Sequence, residues 1–270
     1  MSDAPVESIM LRDFPVVDKD ETLQHAVRVM KRYDMDRVVV LEEGKLAGIM
    51  TKKDIMVKLA TLRTRSLVPS RLHVSSFMTW NPKTVQPTDP IRSVARMMIE
   101  DNVGSYPVVS GDKVVGLVTR LELARLAKDY RSVKVVDVMT TIPEVLRTSN
   151  KLLHARQLLL KYNLLFMPVV DERDRLVGFI TVDEVADAFF AFHEIVPERY
   201  RKEKIDHLLV DDVMRLRPPT VTPDAPVSEA VERIEERKSK GAVVVASEGR
   251  ILGIVTLTEL VKLVATAEQG

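Results

Sequence analysis

The stretch Gly48-Ile-Met-Thr-Lys-Lys-Asp-Ile55 decides the fold, because three variants of it follow along the chain. These variants are Gly116-Leu-Val-Thr-Arg-Leu-Glu-Leu123, Gly178-Phe-Ile-Thr-Val-Asp-Glu-Val185 and Gly253-Ile-Val-Thr-Leu-Thr-Glu-Leu260. Each glycine follows a methionine by 38, 38, 39 or 39 residues, and the methionines are Met10, Met78, Met139 and Met214. The nearly constant interval predicts four repeats of about 60 residues that pack on one another, since one such unit alone buries too little surface.

The composition narrows the class of protein. The 270 residues include 40 Lys and Arg against 39 Asp and Glu, and no cysteine. This balance gives no net field to attract a nucleic acid polymer or an anionic membrane, and the absence of cysteine excludes disulfides and thiolate metal sites. The first residues lack a secretory signal, and no apolar run reaches the roughly 18 residues that span a bilayer. We therefore expect a soluble cytoplasmic protein.

The same patterns recur between each methionine and its glycine. A short apolar stretch such as Thr84-Val85 predicts a strand. Apolar residues spaced i, i+3, i+4 and i+7 then predict a helix with one buried stripe, as in Ile91, Val94, Ala95 and Met98. The same position of every repeat, three residues before this stripe, holds a residue type that commonly caps helices. These residues are Asp20, Thr88, Ser149 and Asp224. Two β-branched runs around a turn predict a hairpin that leads into the glycine phrase and a second helix.

The predicted fold is therefore α/β (α+β), with four strand-helix-strand-strand-helix (βαββα) repeats. We place the repeats at residues 1–62, 70–130, 132–195 and 207–268, paired into modules 1–130 and 131–270. Two residues depart from the pattern. Arg156 falls in the buried stripe, where its stem either carries the charge to water or reaches a ligand. Trp80 either packs, which we favour, or stacks on a base.

The glycine phrase has two interpretations. Threonine followed three residues later by an acid is the sequence of a helix capping box, which involves no ligand. The same turn also places free amides, a hydroxyl and the positive end of a helix dipole together, and these groups favour a phosphate. A carboxylate one turn further on can accept hydrogen bonds from the two hydroxyls of a ribose. The two interpretations are compatible.

This layout resembles the cystathionine beta-synthase (CBS) domain family, from about Ser8 to about Ala265. In that family the βαββα units pair as Bateman modules and bind adenosine ligands in clefts between partners. Four units on one chain are similar in layout to the gamma subunit of AMP-activated protein kinase and to stand-alone archaeal members. The resemblance implies that the threonine contacts phosphate, the acid binds ribose, and the partner unit supplies walls for the base.

Carried onto this chain, the resemblance implies a first cleft built from both of the first two copies. The implied residues are Ile49, Thr51, Lys53 and Asp54 with Asn81, Thr84, Tyr106 and Pro107. Further candidates in the second and fourth copies are Thr119, Arg120, Glu122, Thr256, Thr258 and Glu259. Glutamate can close the capping box on itself, and Asp183 beside Glu184 would repel phosphate in the third copy. We therefore expect one or two occupied clefts.

These observations predict a regulatory protein that binds AMP, ADP, ATP or a related adenosine ligand and signals to an unidentified partner protein. The alternative is a structural scaffold whose phrases are only capping boxes. An enzyme acting on a nucleotide has no support from motifs, since no glycine-rich phosphate loop, dinucleotide fingerprint or nucleophile motif is present. We expect no catalytic cofactor, and the five histidines show no spacing typical of metal ligands. Closure within one chain and homodimer formation both stay open.

Overall fold

A computed structural model describes residues 4–59 and 68–266 and confirms the α/β class with four βαββα units. The first unit contains β1 (Val16–Asp18), α1 (Leu23–Tyr33), β2 (Arg37–Glu42), β3 (Lys45–Thr51) and α2 (Lys52–Leu59). The second contains β4 (Thr79–Trp80), α3 (Ile91–Glu100), β5 (Ser105–Ser110), β6 (Lys113–Thr119) and α4 (Arg120–Arg125). The strand predicted at Thr84-Val85 is reduced to a single bridge between Val85 and Val108.

The second half of the chain repeats this order. The third unit contains α5 (Val135–Val138), β7 (Leu146–Arg147), α6 (Leu152–Lys161), β8 (Phe166–Val170), β9 (Leu176–Thr181) and α7 (Val182–Ile195). After α8 (Glu198–Lys204), the fourth contains β10 (Arg215–Leu216), β11 (Thr220–Val221), α9 (Val227–Glu236), β12 (Gly241–Val245), β13 (Ile251–Thr256) and α10 (Leu257–Thr266). The ends predicted for the first and fourth repeats, residues 62 and 268, lie outside the described residues.

Neighbouring units exchange the segment that follows each methionine. In the first module, formed by the first and second units, β4 pairs antiparallel with β3, and Leu11 bridges Leu117 in return. A Cβ added at Gly48 would lie 2.6 Å from Met78 Sδ, and one at Gly116 would lie 2.5 Å from Met10 Sδ. The methionine of one unit therefore packs on the glycine of its partner, so each unit of the first module supplies both a methionine and a glycine to this pair of contacts.

The third and fourth units form the second module in the same way. Here β10 pairs with β9, and Thr140 bridges Ile254. A Cβ at Gly178 would lie 2.8 Å from Met214 Sδ, whereas one at Gly253 would meet the Thr140 carbonyl oxygen at 2.5 Å. The glycines are therefore needed for close approach of the paired unit of the same chain, because a side chain at these positions would block it.

Helices join the two modules within one chain. Helix α2 packs on α7, and α10 packs on α3 and α4. One apolar core accordingly combines the first and third units, and a second core combines the second and fourth. Inside each module the sheets meet through smaller clusters, around Ile49 and Leu117 in the first and around Phe179 and Ile254 in the second. Each unit thus contacts one neighbour through sheets and another through helices.

The capping prediction for the first helix of each unit is wrong. The N-caps lie two residues later than Asp20, Thr88, Ser149 and Asp224, and are Thr22, Pro90, Lys151 and Pro226. Only α1 has a side-chain cap of this type, with Thr22 Oγ1 accepting from the His25 N–H at 3.1 Å. The first helical amides donate instead to carbonyls of the segments preceding the partner unit, which are those of Leu72, Ala4, Leu208 and Val133.

Both interpretations of Arg156 are also wrong. Its guanidinium crosses from the second module to the first and donates to the carbonyls of Met56 and Val57 at 2.9 and 2.8 Å. Burial lowers the pKa of Arg156, and these carbonyls lie in the last described turn of α2. The arginine therefore interacts with the negative end of a helix in the other module, a contact that the repeat pattern cannot reveal.

Candidate functional site

A cavity of about 430 Å³ lies between the first two units. The first unit contributes Ile49, Thr51, Lys53 and Asp54 to its walls. The second contributes Thr79, residues 81–83 and residues 101–106. Six of the eight residues predicted for the first cleft therefore meet here. Thr84 and Pro107 do not line this cavity: Thr84 is exposed in a loop, and Pro107 follows Tyr106 on β5, where successive side chains point to opposite faces.

The carboxylate of Asp54 closes a capping box at the start of α2. Asp54 Oδ2 accepts from the Thr51 N–H at 2.8 Å and from the Thr51 hydroxyl at 2.7 Å, and the Asp54 N–H lies 3.3 Å from Thr51 Oγ1. Asp54 Oδ1 forms no hydrogen bond with any residue in the described ranges. One carboxylate oxygen is thus held by the local backbone while the other is available at the cavity wall.

The other three phrases form the same box with glutamate. Oε2 of Glu122, Glu184 and Glu259 accepts from the N–H of its threonine at 3.1, 2.9 and 3.1 Å. In these units the threonine oxygen accepts from the second helical amide, whereas in the first unit it accepts from the third. The structural interpretation of the phrase is therefore confirmed in all four copies.

Four residues with left-handed backbone form two contacts between the modules, which together we call the central junction. They end the first helix of each unit and are Asp34 (φ +53°), Asn102 (φ +52°), Asn163 (φ +51°) and Lys238 (φ +45°). Asn163 Nδ2 donates to Asn102 Oδ1 at 2.9 Å, and Lys238 forms an ion pair with Asp34. The central junction therefore links the units diagonally, second with third and first with fourth.

Cations converge on the cavity from the side of the central junction. Lys53 Nζ donates to Asn163 Oδ1 at 3.1 Å, and burial followed by the charge of Arg120 lowers the pKa of Lys53. Burial and the charge of Arg37 lower the pKa of Arg120 to about 10. Arg120 Nη1 donates to Thr258 Oγ1 at 3.2 Å, which brings together two residues that the sequence assigned to separate clefts.

Arg37 was not predicted from the sequence. Its side chain is buried with 9% exposure, and it binds Asp36 through Nε at 2.6 Å. Within residues 4–59 and 68–266, Arg37 Nη1 and Arg120 Nε are buried without a hydrogen-bond partner. A Cβ at Gly104 would lie 2.9 Å from Arg37 Nη1, so the guanidinium stands directly behind the cavity wall. Glycine followed by a short polar residue at 104–105 was the only signal for this close approach.

The cavity wall also includes Asp101, a charged residue that the sequence analysis did not predict. Asp101 accepts from Lys83 Nζ at 2.5 Å and from the Tyr106 hydroxyl at 2.6 Å. These bonds lower the pKa of Asp101, while burial and Asp101 raise the pKa of Tyr106 above its usual range. The cavity wall therefore includes the cation Lys53, which contacts the central junction, and the charged pair of Lys83 and Asp101.

The equivalent cleft of the second module is bridged by an ion pair. Asp183 occupies the position of Lys53, and Lys240 occupies the position of Gly104. Lys240 Nζ lies 3.1 Å from Asp183 Oδ2 and also pairs with Asp36 of the first module. Burial raises the pKa of Asp183 to about 6, whereas Arg37 and Lys240 hold that of Asp36 well below its usual range despite its burial.

A second cavity of about 690 Å³ lies at the hairpin ends of the second module, away from the threonine-acid phrases. Its walls include Val170, Leu176, Val245 and Ile251. Trp80 lines neither cavity. It is 48% exposed and donates through Nε1 to the Ser75 carbonyl at 3.2 Å, so it neither fills the core nor faces the site predicted for a base.

Across residues 4–59 and 68–266, no three His, Asp or Glu side chains are grouped so as to hold a metal ion. Within the same ranges, no helix has the length and apolar character required to cross a bilayer.

Sequence comparison identifies the class of protein that this fold defines. The sequence model of the CBS domain matches residues 6–61, 74–129, 135–191 and 210–266, which together are most of the chain. The chain therefore belongs to the CBS domain family, and the predicted resemblance is confirmed.

Particular relatives share this organisation to different extents. The crystal structure of protein MJ1225 from Methanocaldococcus jannaschii, proposed to be an archaeal homologue of the gamma subunit of AMP-activated protein kinase, matches with a TM-score of 0.82 and 21% identity over 96% of this chain and 99% of that one. A 33.4 kDa protein from the ribosomal RNA operon of Thermofilum pendens is 26% identical over 81% of this chain and 76% of its own length.

Other relatives are much longer enzymes. An inosine-5'-monophosphate dehydrogenase from Korarchaeum cryptofilum is 32% identical over 41% of this chain, and the match covers 23% of that enzyme. The chain spans about a quarter of the length of such relatives, which also include homoserine O-acetyltransferases.

Proposed function

We propose that this protein is a non-catalytic sensor that binds an adenosine nucleotide, such as AMP, ADP or ATP, in the Asp54 cavity and signals its presence to a partner protein. The single observation that carries this proposal is the convergence of Asp54, Thr51 and Lys53 with Asn81 and Tyr106 around one cavity of about 430 Å³. Cavities of this size accommodate a nucleotide-sized ligand.

The charges around the cavity support one orientation of the ligand. Asp54 Oδ1 is placed to accept from ribose hydroxyls, while Oδ2 stays in the capping box. Lys53, the amino end of α2 and the buried guanidiniums of Arg37 and Arg120 favour a phosphate group on the side of the central junction. Ile49 and Tyr106 are then left to contact the base.

Regulation requires more than tight binding. A ligand shifts the arrangement of units only if it prefers one arrangement, typically by about 1 to 3 kcal/mol for allosteric coupling. The contacts of Lys53 and Arg120 across the central junction provide differential interactions of this kind. The identity of the partner protein is not encoded in these contacts.

Calorimetry with AMP, ADP, ATP, S-adenosylmethionine and NADH tests the proposal on the full chain. We expect the wild type to bind at least one of these compounds. Asp54→Asn keeps an oxygen acceptor for the capping box but removes the charge facing the ribose, so we expect about a tenfold or greater loss of affinity. Glu184→Gln makes the matched change in the third unit and leaves affinity unchanged.

Two outcomes would overturn the proposal. Absence of heat with all five compounds removes the sensor function altogether. Equal affinities of the Asp54→Asn and Glu184→Gln variants would show that the ligand binds elsewhere.

The four intact capping boxes favour a second candidate function, a structural scaffold in which these acids serve only the helices. In a scaffold, Asp54→Ala lowers the free energy of unfolding by the value of a cap, about 0.5 to 2 kcal/mol, and alters no ligand affinity. Denaturation and calorimetry on this one variant therefore separate the two functions.

A further inference from the structure

Asn163 belongs to the second module but contacts two residues of the cavity in the first. Its Oδ1 accepts from Lys53 Nζ at 3.1 Å, and its Nδ2 donates to Asn102 Oδ1 at 2.9 Å. Lys53 and Asn102 both line the Asp54 cavity. One side chain of the second module therefore fixes the position of the cation that faces the proposed phosphate.

The contacts continue from Asn102 into the fourth unit. Asn102 Oδ1 also accepts from Arg120 Nη2 at 3.4 Å, and Arg120 Nη1 donates to Thr258 Oγ1 at 3.2 Å. Lys53 and Arg120 thus approach the Asn102–Asn163 amide pair from opposite sides, and each cation bonds a residue of the second module. The cavity is connected to both units of that module.

The two cations repel each other across this amide pair. The charge of Arg120 is among the causes that lower the pKa of Lys53, and both groups are partly desolvated. In a site of low dielectric constant such repulsion is larger than in water. An anion bound beside Lys53 offsets it without breaking the Lys53–Asn163 bond, because an ammonium group has three N–H donors.

We propose that Asn163 is a positioning residue of the Asp54 cavity, and that it makes binding of a phosphate-bearing nucleotide tighten the docking of the second module on the first. This inference rests on the proposed function. By linkage, docking of the modules raises the affinity for the phosphate by the same factor.

The chain offers a matched control at the other diagonal of the central junction. Asp34 has the same left-handed backbone as Asn163 and contacts Lys238 of the opposite module, but it does not line the cavity. Glycine tolerates this backbone, so Asn163→Gly and Asp34→Gly each remove one side chain without adding strain.

Calorimetry with AMP and adenosine isolates the contribution of the phosphate. We expect Asn163→Gly to lower the ratio of AMP to adenosine affinity about fivefold or more, within the usual range of coupling factors. The Asp34→Gly variant keeps the ratio within about twofold of the wild type. In a double-mutant cycle with Lys53→Ala, the effects of Asn163→Gly and Lys53→Ala on this ratio are non-additive, because Asn163 acts through Lys53.

Hydrogen exchange reports docking independently of affinity. Helix α7 packs on α2 across the modules and contributes no residue to the cavity wall. AMP at saturating concentration should slow exchange in residues 182–195 of the wild type and of Asp34→Gly. In Asn163→Gly, slowing should be confined to the first module.

The outcomes separate this inference from the proposed function. A wild type that gives no heat with adenosine or with any of the five compounds named for the proposed function overturns both. A wild type that binds AMP, together with an Asn163→Gly variant that keeps the same affinity ratio and the same slowing in α7, overturns the coupling alone. Additive effects of Lys53→Ala and Asn163→Gly would also contradict it.

Discussion

The Asp54 cleft of the first module and the Glu184 cleft of the second begin from the same capping box and differ in what surrounds it. Beside the box, the first cleft has Lys53 and faces Gly104, whereas the second has Asp183 and faces Lys240. Gly104 allows the Arg37 guanidinium to lie directly behind the wall of the first cleft. In the second cleft, Lys240 at the equivalent position forms an ion pair with Asp183.

This difference teaches that the repeated phrase builds the helix start, and that residues next to it decide the chemistry. The threonine and the acid satisfy backbone amides in every unit, so they are needed for folding whether or not a ligand binds. Two positions then determine whether the cleft attracts an anion or already contains a carboxylate. They are the position of Lys53 or Asp183 in the helix and that of Gly104 or Lys240 in the loop of the paired unit.

The largest expected effect is a loss of stability on removal of Lys240, the cation that pairs with a carboxylate of each module. Lys240→Met leaves Asp183 buried without its ion-pair partner and removes one partner of Asp36. Breaking a buried pair from one side is strongly destabilising, and we expect a loss of about 3 kcal/mol in urea denaturation.

A second variant shows whether this loss comes from the unpaired charge. Lys240→Met combined with Asp183→Leu should recover most of the stability, since no carboxylate is then left unpaired at position 183. A loss below about 1 kcal/mol for the single variant would show that this ion pair does not hold the second cleft together.

The next effect concerns ligand affinity in the first cleft. A Cβ at Gly104 would lie 2.9 Å from Arg37 Nη1, so a larger side chain there must displace the Arg37 guanidinium that lies behind the cavity wall. Gly104→Leu introduces the residue found at the same position of the third unit, Leu165, and should reduce AMP affinity at least about thirtyfold, or about 2 kcal/mol.

Calorimetry on a graded pair checks this expectation. Gly104→Ala should have a smaller effect than Gly104→Leu, because the end of the Arg37 side chain can shift by a few tenths of an ångström. If Gly104→Leu folds and binds AMP with unchanged affinity, the cavity wall at Gly104 and the Arg37 guanidinium behind it are not part of the binding site.

The smallest effect is a pH dependence confined to the second cleft. Burial raises the pKa of Asp183 to about 6 in the folded protein, against about 3.9 in an unfolded chain. The folded state therefore holds this proton more tightly, and its contribution to stability is complete below pH 4 and is lost as pH rises to 6.

Urea denaturation of the wild type and of Asp183→Asn between pH 4 and 7 isolates the contribution of Asp183 titration to the free energy of unfolding. The free energy of unfolding of the wild type, relative to the variant, should fall by about 1 to 2 kcal/mol between pH 4 and 7. The pKa of Asp36 in the folded protein lies well below this range, so Asp36 stays ionised there in both proteins and its titration in the unfolded chain cancels. A constant difference would place the Asp183 carboxylate in an environment like water.

Most of the fold was readable from the sequence because it repeats. The buried stripe of α3, with Ile91, Val94, Ala95 and Met98, and the hairpins appear as predicted, since local periodicity reports which face is covered. The helix caps were mispredicted because carbonyls of the partner unit, such as that of Ala4 for Ile91, replace the expected side chains. No local pattern encodes an acceptor from another unit.

The candidate site was predictable on the side of the glycine phrase and less so on the opposite wall. Thr51, Lys53 and Asp54 carry the motif, whereas Arg37 and Asp101 reach the cavity region from segments without one. The role of Arg156 was decided by neighbours 100 and 99 positions away in the chain, whereas Trp80 bonds a residue only five positions before it. Their contacts are with Ser75 and with the carbonyls of Met56 and Val57.

The sequence by itself determined four βαββα units, the regular recurrence of a methionine and a glycine in each, and a capping box at the start of each second helix. These features depend on neighbours within a few residues or on a regular repeat. Only the tertiary structure decided that Asn102 meets Asn163, that Lys240 joins Asp36 to Asp183, and that one cleft is left open beside Gly104. The physical reason is that charge pairing and space at the central junction depend on side chains from all four units at once.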